Sequence, residues 1–125
     1  MSNIPYSPAP GRLEIETDLK LSSITTNQQE DVTTVFTIKN IGGQDINIQA
    51  LGVGVRLGVD WTGAGFDYPG VSNINLQPNQ PYTYHGTRSF SFGGSYFAEP
   101  VVKIRGNWGG IPNFSRIYFN VINSK

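Results

Sequence analysis

Val32-Thr33-Thr34-Val35-Phe36-Thr37-Ile38-Lys39-Asn40 is the stretch that decides the fold. Val32, Thr34, Phe36, Ile38 and Asn40 fall on one side of an extended chain, with Thr33, Val35, Thr37 and Lys39 on the other. β-Branched and aromatic residues suit such a pleated, half-buried surface. The run stops at Gly42-Gly43-Gln44-Asp45, where glycine supplies the positive φ angles of a tight turn.

The same period of two recurs on either side. Upstream, Leu13, Ile15, Thr17, Leu19 and Leu21 alternate with Glu14, Glu16, Asp18 and Lys20, and residues 25–31 are wholly polar and predict a turn. Downstream, a third strand spans residues 46–57, with its apolar set changing phase near Ala50, as a β-bulge would make it do. Gly52 and Gly54 then share one face and leave room for something to lie close. Residues 58–70 predict a long loop, 71–76 a short strand, 77–80 a turn and 82–90 a longer strand in which Tyr82, Tyr84, Gly86, Arg88 and Phe90 share a face. Gly93-Gly94 leads into a strand over 95–105, residues 106–112 predict a second exposed loop, and 114–122 close the domain with Phe114, Ile117, Phe119 and Val121 as apolar contacts. No window shows helical spacing. The expected fold is all-β: a two-layer antiparallel immunoglobulin-like β-sandwich of about seven strands. Its core should draw on Leu19, Leu21, Val32, Phe36, Ile38, Leu51, Val53, Val55, Leu76, Tyr84, Tyr96, Ile104, Phe119 and Val121.

At 125 residues the chain suits one domain. The organisation expected is a Pro-rich lead-in or linker over residues 1–12 (Pro5, Pro8, Pro10), the sandwich over 13–123 and a tail at 124–125. A methionine set directly on linker-like sequence suggests a domain taken from a longer chain, with a covalently fused neighbour in the parent. Nine basic residues balance nine acidic ones and lie scattered, so no electrostatic field favours nucleic acid. No apolar run approaches the roughly 20 residues of a membrane-spanning helix, and no signal peptide is evident. Without cysteine there is no disulfide, thiolate metal site or thiol nucleophile.

Catalytic chemistry is not expected. His85, the single histidine, sits in an alternating polar strand, and no G-x-S-x-G elbow accompanies it. Glu14, Glu16 and Asp18 would form a solvated, mutually repelling row. Asp60 and Asp67 share a loop and could ligate calcium with backbone carbonyls, but no D-x-D-x-D-G pattern supports this. The glycine-rich pieces Gly63-Ala64-Gly65 and Gly106-Asn107-Trp108-Gly109-Gly110 precede no helix, which leaves phosphate and dinucleotide loops without support. No metal and no cofactor are expected.

Phe36-Thr37-Ile38-Lys39-Asn40-Ile41-Gly42 followed by Asn75-Leu76-Gln77-Pro78-Asn79-Gln80-Pro81-Tyr82-Thr83-Tyr84 resembles the bacterial and archaeal immunoglobulin-like accessory domains of the CARDB (cell-adhesion-related) type. Those domains read V-x-N-x-G at a strand end, then L-x-P-G before a later strand. Here Asn79 stands at the usual glycine, and asparagine is the next best residue for a left-handed position. The resemblance covers roughly residues 13–123. It implies a β-sandwich set beside enzymes or adhesins in an extracellular or cell-envelope protein, and it brings no catalytic residues.

Three roles follow as expectations. The first is a non-catalytic accessory or interaction module, a spacer, attachment or protein-binding unit, whose partner is a protein or a polysaccharide. The second is a carbohydrate-binding module presenting Asp60, Trp61, Phe66, Asp67, Tyr68, Asn107 and Trp108 from the two loops at one end of the sandwich. The competing role for each tryptophan is to fold back as a cap on the core. The third is a self-assembling subunit that pairs through an edge strand.

Overall fold

A computed structural model describes residues 11–123, all β-strand and connection without a helix. The lead-in, apart from Gly11 and Arg12, and the tail at 124–125 lie outside the described residues. Nine strands form: β1 (Leu13–Leu21), β2 (Thr25–Asn27), β3 (Val32–Asn40), β4 (Ile46–Leu57), β5 (Val71–Leu76), β6 (Pro81–Arg88), β7 (Gly94–Ile104), β8 (Asn107–Gly110) and β9 (Ile117–Ile122). They make two sheets, one ordered β1-β3-β6 and one ordered β2-β9-β7-β4-β5, with β8 also paired to β7.

The deciding stretch folds as its alternation requires. Val32, Thr34, Phe36, Ile38 and Asn40 are all buried, and β3 pairs with β6 through eight unbroken registers from Val32↔Arg88 to Lys39↔Pro81. Phe36 stacks on Tyr84 with ring centres 5.3 Å apart. Opposite them the larger sheet supplies Ile48, Leu51, Val53, Val55, Tyr96, Phe119 and Val121, so one apolar core lies between two layers. Of the expected core, Leu21 and Ile104 are only half buried but pack against it; Ile46 and Ile48 join it as the inward set of their strand, and Ile111 joins it from a segment expected as an exposed loop.

Several expectations need correction. The strands number nine because two short polar segments are recruited by neighbours. Thr25–Asn27, expected as a turn, pairs in parallel with β9, so the larger sheet is mixed. Asn107–Gly110, expected as a loop, forms a hairpin with β7 through the two residues Arg105 and Gly106, both at positive φ (54° and 79°), as the mirror-image hairpin turn demands. The phase change in β4 is real, since burial passes from Ile46 and Ile48 to Leu51, Val53 and Val55. It adds no extra residue to one strand: the β4–β5 register keeps one offset from Ile46↔Leu76 to Leu51↔Val71, and the pairing lapses only between Gln49 and Asn73, where Asn73 on β5 takes φ 58°. Register shifts fall instead in β1, on both sides of Thr17. They break up the expected acidic row: Glu16 faces Lys39 at 3.8 Å, whereas Asp18 turns to accept the backbone N–H groups of Leu19 and Ser115. Burial raises the Asp18 pKa, but the hydrogen bonds from Ser115 and Leu19 outweigh it and leave the carboxyl below its ordinary value. Phe114 lies outside β9 and is exposed.

The V-x-N-x-G corner shows why its asparagine is there. Asn40 is fully buried; its Nδ2 donates to the Gln44 and Leu76 carbonyls, and its Oδ1 accepts the N–H groups of Arg12 and Gly42. Asn79 takes the left-handed conformation (φ 66°) and donates its N–H to the Asn40 carbonyl at 2.7 Å. One side chain thus pins three connections of the sandwich.

Candidate functional site

Chemistry-bearing side chains gather on the outer face of the larger sheet. The β4–β7 and β7–β8 registers set its residues in rows across the strands: Ala50–Lys103–Trp108, then Gly52–Val101–Gly110, then Gly54–Glu99, then Arg56–Phe97. Rows on one face lie two residues apart, so the Trp108 row and the Glu99 row are separated by ~13 Å. Between them the small side chains of Gly52, Val101 and Gly110 leave a valley crossing three strands, about 10 Å at the strand spacing. It is the floor of a trough of about 600 Å³ whose lining includes both Trp61 and Trp108.

The tryptophans reach this trough by different routes. Trp108 stands on β8, mostly exposed, with the Lys103 Nζ 5.9 Å from its ring centre. Trp61 comes from the turn after β4 and lies flat enough on the sheet that a Cβ on Gly54 would sit 2.8 Å from its Cη2. The room read from Gly52 and Gly54 is therefore real: Trp61 occupies it over Gly54, and the Gly70 backbone crosses Gly52. Trp61 meets the edge of Phe97 at 5.2 Å, and Arg56 stacks on its other side at 5.0 Å. It covers Phe97 and is still 42% exposed, and Trp108 is 59% exposed, so neither indole is buried.

Two ion pairs flank the floor. Arg56 Nη1 donates to Asp67 Oδ1 at 2.5 Å, and that oxygen also accepts the Val55 N–H. Arg116 donates from Nε to Glu99 Oε1, from Nη1 to the Val59 carbonyl, and stacks its guanidinium 3.8 Å from the Phe97 ring centre. Desolvation lowers the Arg116 pKa, but hydrogen bonds to Tyr118 and Glu99 more than reverse it, so the guanidinium stays charged. Glu99 is only 5% exposed, yet it lines the trough, and no motif in the sequence singles it out.

The expected site residues divide. Trp61, Asp67 and Trp108 line the trough. Tyr68 contributes only at its margin, because its ring is buried in the core beside Phe90, where burial drives its hydroxyl pKa far upward. The reason is local pairing: Phe66 and Tyr68 donate their N–H groups to Val55 and Val53, so residues 65–68 run as an added edge along β4 and alternate sides. Asp67 points out; Phe66 packs on Tyr96 and Phe92 instead. Asp60 and Asn107 do not line the trough. Asp60 closes its own turn by accepting the Thr62 hydroxyl and N–H, which lower its pKa. Asp60 and Asp67 therefore do not converge as the calcium reading required. The trough lies on a sheet face, and residues 58–70 and 106–112 both contribute to its lining.

This is a β-sandwich with an aromatic-walled trough on the outer face of its larger sheet. No family model matches the chain, and no curated protein does. Solved structures do. The CARDB domain of a Pyrococcus furiosus protein superposes with a TM-score of 0.59 at 15% identity, over 90% of this chain and 95% of that one. The alkylpurine DNA glycosylase AlkC of Pseudomonas fluorescens matches with a TM-score of 0.62 at 13% identity, over 91% of this chain and 31% of that one. A β-glucosidase of Erythrobacter marinus matches at 0.63 and 6% identity, over 90% of this chain and 16% of that one. The chain thus has the CARDB fold, and it spans under a third of the two enzymes that share it.

Proposed function

We propose that this domain is a non-catalytic accessory module that binds a carbohydrate chain in the trough. One observation carries the reading: two partly exposed indoles from separate elements face the same valley, floored by glycine and valine. Sugars present flat C–H faces that stack on aromatic rings, and ligand sites combine such apolar surface with a few fixed polar groups. A trough that runs along a sheet face between two tryptophans suits an extended polymer better than a compact molecule.

Catalysis is a poorer reading. Both trough carboxylates are tied to arginines, whereas hydrolysis of a glycosidic bond needs one carboxyl free to carry a proton. Nucleic acid is poorer too, although the fold occurs in a protein bound to DNA. The chain has no net charge, and phosphate binding needs uncompensated cations. The fold's occurrence within a β-glucosidase agrees with attachment to a sugar-acting enzyme, and we propose an extracellular or cell-envelope setting for such a module.

A glycan array followed by fluorescence titration tests the proposal. A matching glycan should shift the tryptophan emission, and Trp108→Ala and Trp61→Ala should each abolish binding while the domain stays folded. Binding retained in both variants would refute the trough as the site.

A further inference from the structure

We infer that the trough takes an uncharged polysaccharide and reads its hydroxyl groups through Glu99, an inference that rests on the glycan-binding reading above. Glu99 lies directly across from Gly54 and two residues from Val101, at the border of the valley and within the trough lining. Arg116 holds its Oε1, and among the described residues no donor reaches Oε2. That atom is not sealed off, since Tyr68 Oη is the one buried side-chain polar atom without a partner among them. The trough lining therefore presents a carboxylate oxygen, paired to Arg116 only through its other oxygen, as an acceptor to whatever fills the trough.

The ligand must then supply donors. Sugar hydroxyls do so, and a hydrogen bond to an ionised acceptor is about twice as strong as a neutral one. A uronate or sulfate group would instead set acceptor oxygens against the Glu99 acceptor, with no proton between them. The arginines offer no compensation, because Arg56 and Arg116 are already paired with Asp67 and Glu99. Lys103 is the remaining cation beside the site, and it stands in the Trp108 row on the wall, outside the trough lining.

The test titrates the intact protein by tryptophan fluorescence with a soluble β-glucan, a xylan and a galactomannan, and separately with polygalacturonate and heparin. Each is run at about 20 and about 500 mM NaCl, since screening weakens attraction between exposed charges. A neutral polysaccharide should bind with little change across that range, and Glu99→Gln should weaken it by about 10- to 100-fold, as expected for a lost hydrogen bond to a charged group. Preference for the polyanions, collapsing in salt, would overturn this inference and leave the glycan reading standing. Full affinity in a folded Glu99→Gln variant would also overturn it. Response to neither class would end both readings. Should Glu99→Gln fail to fold, the salt comparison on the unmodified protein decides.

Discussion

Both faces of the larger sheet carry aromatic rings, but they are sealed on one face and half open on the other. On the inner face Tyr96 and Phe119 stack at 5.3 Å, Phe90 leans on both, and all three are fully buried. On the outer face Phe97 is equally buried, yet it is absent from the core: Trp61, Arg116 and Tyr118 cover it from outside. Those covers, with Trp108, stay open to solvent. Burying large aromatics between the sheets accounts for the stability of the fold. Keeping indoles exposed above glycines does not, and this contrast separates what holds the sandwich together from what it presents.

The inner face should dominate stability. Phe36→Ala removes a fully buried ring stacked on Tyr84 and leaves a cavity; at about 3–5 kcal/mol it should lower the urea midpoint more than truncation of any exposed outer-face residue. Asn40→Ala should come next. It orphans the Gln44 and Leu76 carbonyls and the Arg12 and Gly42 N–H groups. With about 1–3 kcal/mol for a polar group left buried without a partner, a loss approaching that of Phe36→Ala is expected, although no apolar surface is involved. An unchanged midpoint for Asn40→Ala would mean that turn geometry alone holds the corner.

The contrast also marks what was legible in the sequence. Inner-face residues announce themselves, because burial of one side forces a period of two, and Phe36, Ile38 and Tyr84 follow it. Asn79 was readable as a left-handed turn residue, and Gly52 and Gly54 as room on a face, because both follow from the backbone freedom of single residues. What occupied that room was not readable. Glu99 meets Gly54 only through the β4–β7 register, across 45 positions of chain, and no local pattern encodes that pairing. Thr25–Asn27 and Asn107–Gly110 are strands because β9 and β7 offer them free edges, not because their own residues alternate. The burial of the Tyr68 ring was not readable for the same reason: as part of a loop its direction is undetermined, whereas pairing with β4 turns it inward and Asp67 outward. A two-residue spacing ending in Gly106 was the one overlooked local signal, since it fits a hairpin between β7 and β8.

The smallest stability effect should come from the most conspicuous outer-face residue. Trp108 has 59% of its surface exposed and stands on a short strand at the sheet edge, with Lys103 as its nearest charged neighbour. Its replacement by alanine leaves no cavity and orphans no buried polar group. What remains is the poorer strand preference of alanine, within the ~1 kcal/mol that such differences span. Trp108→Ala should therefore unfold in urea at nearly the wild-type midpoint, several-fold closer to it than Phe36→Ala. Paired measurement of the two variants is informative because the residues are comparable in size and differ in the face they occupy. A midpoint loss for Trp108→Ala matching that of Phe36→Ala would make this indole a structural cover, and the trough would lose one wall of its case for a ligand. A stable variant that no longer responds to glycan would assign the exposed ring to binding, since the fold has then no need of it.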